Sequence, residues 1–140
     1  MTEMSSKSVL LVDDEPVIRK IVKRAISTLE RPVEVFEAED GLEALKILGE
    51  RSIDLVLLDV KMPGMDGFEV LDRIRQTEET KDQKVMMLTG ENQVGDIYKG
   101  RDHGATSYLT KPFDVEDILL VLESHLSGEF DFGTKMIHEH

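Results

Sequence analysis

The feature that most constrains this chain is a fivefold alternation of short apolar runs with amphipathic helical segments. Ser8–Val12 is an apolar run closed by acids, which reads as a buried parallel strand. Ile18, Ile21, Val22, Ala25, Ile26 and Leu29 then recur at helical spacing, with Arg19, Lys20, Lys23 and Arg24 off that stripe. Pro16 suits a first helical turn, and Arg31-Pro32 ends the element. The pattern repeats four times. Val33–Ala38 is a strand, and Asp40-Gly41 opens a helix carrying Leu42, Leu45, Ile47 and Leu48. Ile53–Leu58 is a strand ending at Asp59, and the turn-rich Met62–Gly67 leads into a helix over Phe68–Arg75. Val85–Leu88 precedes Thr89-Gly90 and a helix from about Val94 to His103, closed by Gly104-Ala105. Ser107–Thr110 precedes Lys111-Pro112 and a last helix over Val115–Leu126. Strict β/α alternation of this kind predicts one parallel sheet with helices on both faces. Ligands of such sheets bind beyond the carboxyl ends of the strands.

Composition narrows what such a domain can serve. The 140 residues make one domain of ordinary size, and no apolar run is long enough to span a bilayer. There are no cysteines, so thiol chemistry is excluded. The first residues lack the apolar core of a signal peptide, which fits a cytoplasmic location. The net charge of −12 disfavours nucleic acid and anionic lipid and favours cations and basic partner surfaces. Residues 1–7 are expected to be a disordered lead-in, 8–126 the domain and 127–140 a tail. That tail is too short for an output domain, so the chain reads as a stand-alone unit or a fragment of a longer regulator, with Met1-Thr-Glu-Met4 as a natural start.

The chemistry gathers where the strands end. Asp13-Asp14-Glu15, Asp59, Thr89 and Thr110-Lys111-Pro112 all follow strands that a parallel sheet sets side by side. Taken singly, each has a plain structural use: the acids at a helix start, Asp59 in a turn, Lys111 as a solvated edge residue. Taken together, three carboxylates, a hydroxyl and an ammonium form a set suited to phosphoryl transfer. Carboxylates held close demand a cation, and hard oxygen donors suit Mg²⁺. A carboxylate is also a competent nucleophile toward phosphorus, given positioning and charge neutralisation.

The motifs Val9–Glu15, Asp54–Gly67, Leu88-Thr-Gly90 and Gly104–Phe113 resemble those of the receiver domains of bacterial response regulators, from about Lys7 to Leu126. The resemblance implies a flavodoxin-like doubly wound α/β fold, with a five-stranded parallel sheet in the order 2-1-3-4-5 and five helices. It implies that Asp59 is the phosphoacceptor and that Asp13, Asp14, Asp59 and the backbone carbonyl of Lys61 hold Mg²⁺. Thr89 matches the switch hydroxyl, Lys111 the phosphate-binding lysine, and the Lys111–Pro112 bond is expected to be cis. Tyr108 matches an aromatic that rotates inward on activation; as a strand residue alone it reads as half-exposed. Lys61 and Glu91 stand where the family tunes phosphoryl lifetime, and their opposite charges suggest a pair across the site mouth.

The implied protein is a switch that assists its own phosphorylation and dephosphorylation rather than a turnover enzyme. Its donor would be a separate histidine kinase or phosphotransfer protein. Its downstream partner would read the face of the fourth helix, fifth strand and last helix, and a homodimer is a further expected partner state. A phosphate sink or constitutive docking module is the alternative. The basic band of the first helix reads as a solvated face or a donor-docking surface. His103, His125, His138 and His140 read as solvated or capping residues. A haloacid-dehalogenase phosphatase would need an acid where Lys61 stands, and a flavodoxin-like FMN binder would place phosphate against Asp13-Asp14-Glu15, so both fail.

Overall fold

Continuous apolar runs form strands buried on both faces, and that is the sheet found here. The computed structural model describes residues 6–90, 95, 99, 101 and 103–127. The elements are β1 (Lys7–Val12), α1 (Pro16–Ser27), β2 (Val33–Ala38), α2 (Gly41–Glu50), β3 (Leu55–Asp59), α3 (Gly67–Gln76), β4 (Val85–Thr89), β5 (Ser107–Thr110) and α4 (Val115–Ser127). All strand pairs are parallel, in the order β2-β1-β3-β4-β5. Of the five helices expected, four lie among the described residues. The expected helix near Val94–His103 falls mostly outside them, although Gly95, Lys99 and Arg101 are helical. The first strand starts at Lys7, one residue early, so Lys7 belongs to the sheet rather than to a lead-in.

The period of two divides the strands between two cores. Leu10, Val12, Val56, Leu58, Val85, Met87 and Tyr108 face α2 and α3, meeting Ala44, Leu48, Phe68, Leu71 and Ile74. Val9, Leu11, Leu55, Leu57, Met86, Leu88 and Leu109 face α1 and α4, meeting Val22, Ala25, Ile26, Ile118, Val121 and Leu122. Helix starts are fixed locally. Asp66 and Glu69 form a reciprocal capping box on α3, and the Asp40 carboxylate accepts from Glu43 N on α2. Leu42 is 68% exposed, because the buried stripe of α2 runs through Gly41, Ala44 and Leu48 instead. Tyr108 is buried in the α2–α3 core rather than half-exposed, because β5 turns alternate residues into the two layers.

His125 also departs from the sequence expectation. It lies three and four residues after Leu122 and Val121, on the buried stripe of α4, and is only 2% exposed. Its Nε2 is 2.7 Å from Ser107 Oγ, at the start of β5, and its carbonyl accepts from Lys84 Nζ at 3.2 Å. Burial, with the Lys84 charge adding to it, pushes the imidazole down to about 4. The folded protein therefore keeps His125 neutral where the unfolded chain, near 6.5, binds a proton. Stability from this site is complete above about pH 6.5 and is lost as pH falls toward 4. Over that range the loss reaches about 3 kcal/mol, from about 1.4 kcal/mol per pKa unit. His125→Gln, which keeps a partner for Ser107, is expected to flatten the slope of unfolding free energy between pH 4 and 6.5. Denaturant melts of both proteins across that range check it.

Candidate functional site

Strand register, rather than loop geometry, brings the acidic residues together. Val12 pairs with Leu58, so the next residues, Asp13 and Asp59, emerge side by side at the carboxyl edge. Asp59 pairs with Leu88, and Leu88 with Leu109, so Thr89 stands one residue and Lys111 two residues past that row, at the same carboxyl edge. Backbone bonds carry the ladder past the strands: Asp13 N donates to Ala38 O, Val60 N to Leu88 O, and Lys111 N to Thr89 O at 2.6 Å. The Lys111–Pro112 peptide is cis.

The floor of the site is closed by α3. Gly67 N donates to Val60 O at 2.8 Å. A Cβ on Gly67 would lie 2.3 Å from Asp59 O and 2.8 Å from Val60 Cα, so a larger residue there would displace the backbone under the acid. Gly64, at φ 78°, turns the loop that leads into this contact.

Lys111 is the common counter-ion. Its Nζ lies 2.8 Å from Glu15 Oε1, 3.2 Å from Asp13 Oδ2 and 3.3 Å from Asp59 Oδ1. Asp13 is 0% and Asp59 5% exposed. Burial pushes the Asp59 carboxyl up to about 7; the neighbouring Asp13 charge adds to that, and Lys111 and the Lys61 N–H pull against it. Burial likewise raises Asp13. Burial alone would lower Lys111, but Glu15, Asp59 and Asp13 outweigh it and hold the ammonium above its ordinary range. One cation thus serves three carboxylates, and the site is short of positive charge.

Other residues hold this arrangement or stand open to a ligand. Asp13 Oδ1 accepts from Glu15 N at 2.9 Å, and its carbonyl accepts from Arg19 Nη1 at 2.7 Å. Glu15 is the N-cap residue of α1 but gives no side-chain cap bond; its carboxylate goes to Lys111. The acids after β1 therefore serve the site more than the helix start. Asp14 is exposed and has no side-chain partner among the described residues. One oxygen each from Asp13, Asp14 and Asp59 lies within 4.8 Å of the others. Three converging carboxylates, of which only Asp13 and Asp59 share the Lys111 ammonium, fit a hard divalent cation. Thr89 is 0% exposed, and its Oγ1 has no hydrogen-bond partner among the described residues. A buried, unspent hydroxyl beside Asp59 is a donor waiting for an acceptor.

Not every expectation gathers here. Lys61 is exposed; its backbone N–H reaches Asp59 Oδ1 at 3.4 Å. Glu91, its expected partner, lies outside the described residues, as do His138 and His140. Half of the basic band of α1 is spent internally, since Arg19 and Lys23 both pair with Glu37 at 3.1 Å. His103 is half-buried rather than solvated, paired with Asp72 and packed against the Phe68 ring. The sequence reading gave Glu15 only a helix-start role, with no contact to Lys111. Its place immediately after Asp13-Asp14 was the available signal.

Comparison with known proteins agrees with this geometry. The response regulator receiver domain family matches residues 9–123. Sporulation initiation phosphotransferase F of Bacillus subtilis is 33% identical over 88% of this chain and 96% of its own. The DNA-binding dual master transcriptional regulator RpaA of Synechocystis is 40% identical over 79% of this chain but 45% of its own length. The nitrate/nitrite response regulator NarL of Escherichia coli is 33% identical over 92% of this chain and 59% of its own. The chain thus spans about half the length of those two curated relatives. Among solved structures, the chemotaxis response regulator CheY4 of Vibrio cholerae matches with a TM-score of 0.77 and 35% identity, covering 86% of this chain and 99% of its own.

Because Asp14 supports nothing in the fold, Asp14→Ala is expected to leave the melting temperature without divalent ions unchanged or slightly raised. It is expected to weaken Mg²⁺ binding about tenfold or more. A Mg²⁺ titration followed by chemical shifts, beside a thermal melt, separates the two effects.

Proposed function

The chain belongs to the response regulator receiver domain family, and from that premise we propose that Asp59 accepts a phosphoryl group from a histidine kinase or phosphotransfer protein. The observation that carries the proposal is the cluster of Asp13, Asp59, Thr89 and Lys111 at the carboxyl edge, with one ammonium among three carboxylates and a buried hydroxyl that has no hydrogen-bond partner among the described residues. Receiver domains as a family bind Mg²⁺ in an acidic pocket and take part in phosphorylation-based two-component signalling. The name and near-complete coverage of sporulation initiation phosphotransferase F support the same reading.

The residues divide the work. An Asp59 oxygen attacks the donor phosphorus, and the bond to the leaving nitrogen or oxygen breaks, that atom keeping the electron pair. Asp13, Asp14, Asp59 and the carbonyl of Lys61 would hold Mg²⁺, which when bound neutralises phosphoryl oxygens. Lys111 exchanges carboxylate contacts for a phosphoryl oxygen, and Thr89 Oγ1 donates to another. The chain is a phosphoacceptor switch rather than a turnover enzyme, and it works in the cytoplasm, where its kinase would release the phosphoryl group. Drawing Thr89 inward alters the packing around Tyr108 and, with it, the surface that includes β5 and α4. That surface is where we place the downstream partner or a second copy.

Incubation with acetyl phosphate and Mg²⁺ is expected to give one phosphoryl adduct by intact mass in the wild type and none in Asp59→Asn. Beryllofluoride is expected to shift Tyr108 resonances in the wild type alone. An adduct on both proteins would overturn the assignment of Asp59, and an adduct without any Tyr108 shift would favour a phosphate sink.

The Lys61 side chain, exposed beside the acceptor, shields the phosphoryl group from water. Lys61→Ala is expected to speed loss of the adduct severalfold, read as its decay after donor removal. An unchanged half-life would defeat the idea.

A further inference from the structure

At the amino edge of the sheet, far from Asp59, α1 and α4 part to leave a groove of about 330 Å³. Its apolar walls are Leu29, just past α1, and Leu119 and Leu126 of α4; Glu30, Arg31 and Glu123 supply the charged rim. Leu119, Glu123 and Leu126 fall at i, i+4 and i+7, so α4 offers the groove one continuous face. Arg31 Nη1 donates to Leu126 O at 2.8 Å, which ties the end of α4 to the groove wall. The chain therefore leaves its last described helix at the groove itself.

The residues that follow are Gly-Glu-Phe-Asp-Phe-Gly-Thr-Lys-Met-Ile-His-Glu-His, 128–140. Of the five phenylalanines, Phe68 and Phe113 are buried and Phe36 packs on a core, and Phe130 and Phe132 lie outside the described residues. Gly128 directly after the helix is the residue type that lets a chain reverse over the last turn. Phe130 and Phe132 alternate around Asp131, so an extended chain sets both rings on one side, about 7 Å apart. The Leu119–Leu126 face is about 10 Å long at 1.5 Å per residue, which accommodates that spacing. Lys135 offers the opposite charge to Glu30 and Glu123 on the rim. Few residues separate Phe130 from Leu126, so attachment gives the rings an effective local concentration on the order of millimolar, and a weak contact suffices.

We propose that segment 128–140 of this same chain is the occupant of the α1–α4 groove, with Phe130 and Phe132 as its anchors against Leu29, Leu119 and Leu126. The seat lies at the opposite end of the sheet from Asp59, so phosphoryl acceptance does not depend on it.

The test uses the full 140-residue chain and a Phe130→Ser/Phe132→Ser variant. In the wild type, nuclear Overhauser contacts are expected from both phenyl rings to the methyls of Leu119 and Leu126. In the variant, the methyl shifts of Leu29, Leu119 and Leu126 are expected to move, with a melting temperature lower by a few degrees. The acetyl-phosphate adduct on Asp59 is expected to be unchanged. Absence of the ring-to-methyl contacts, or identical leucine shifts in the two proteins, overturns the proposal. Contacts that grow with concentration and accompany a doubled mass in solution overturn it in favour of a second copy as the occupant.

Discussion

The ammonium of Lys111 is the interaction on which the site depends. Two carboxylates stand buried side by side at the ends of β1 and β3, and a third, Glu15, leans over them. Without a shared cation, each would be an uncompensated charge in a dry environment, and breaking such a pair costs several kcal/mol. Lys111 reaches them because its own backbone N–H extends the β4–β5 ladder to Thr89. The counter-ion is thus delivered by the sheet, not by a free surface side chain. One ammonium for three carboxylates is still too little charge. Burial, with the Asp13 charge adding to it, holds Asp59 near 7, and the deficit makes a cation and a phosphoryl group welcome in the same place.

The rest of the fold serves to hold that edge still. A parallel sheet covered on both faces gives each strand end a fixed neighbour, so the spacing of Asp13, Asp59, Thr89 and Lys111 is set by hydrogen-bond register. The close approach of Gly67 to Asp59 O seats α3 directly beneath the acceptor. Arg19 clamps the Asp13 carbonyl from α1. At the far edge, buried His125 and Ser107 with half-buried Lys84 form a second polar cluster, which ties α4 to β5 and to the residue before β4. The two ends of the sheet thus use buried polarity differently: one is left short of charge for a ligand, the other ties a helix to the strands.

Much of this was legible in the residues. The apolar runs and helical stripes identify the elements because periods of two and 3.6 are local properties of the backbone. Strand ends were placed within one or two residues, and Asp13, Asp14, Asp59, Thr89 and Lys111 stood out because each follows a strand. Side-chain partners were not legible. Lys111 was placed at the site without its three carboxylate partners, His125 read as solvated or capping, and Tyr108 as a plain strand residue read as half-exposed. All three are decided by what packs against them from distant positions. Arg19 and Lys23 read as part of a free basic face, yet both are committed to Glu37 on a neighbouring strand.

The sequence by itself determined the alternating elements, the parallel sheet and the inventory of groups at its carboxyl edge, since periodicity and residue type act over a few neighbours. Only the tertiary structure decided which carboxylates share Lys111, which hydroxyl is buried without a partner among the described residues and which histidine is kept neutral. Those outcomes rest on register and burial, set by residues distant in sequence, 18 positions apart for Ser107 and His125 and 96 for Glu15 and Lys111, and no local pattern encodes the desolvation that follows.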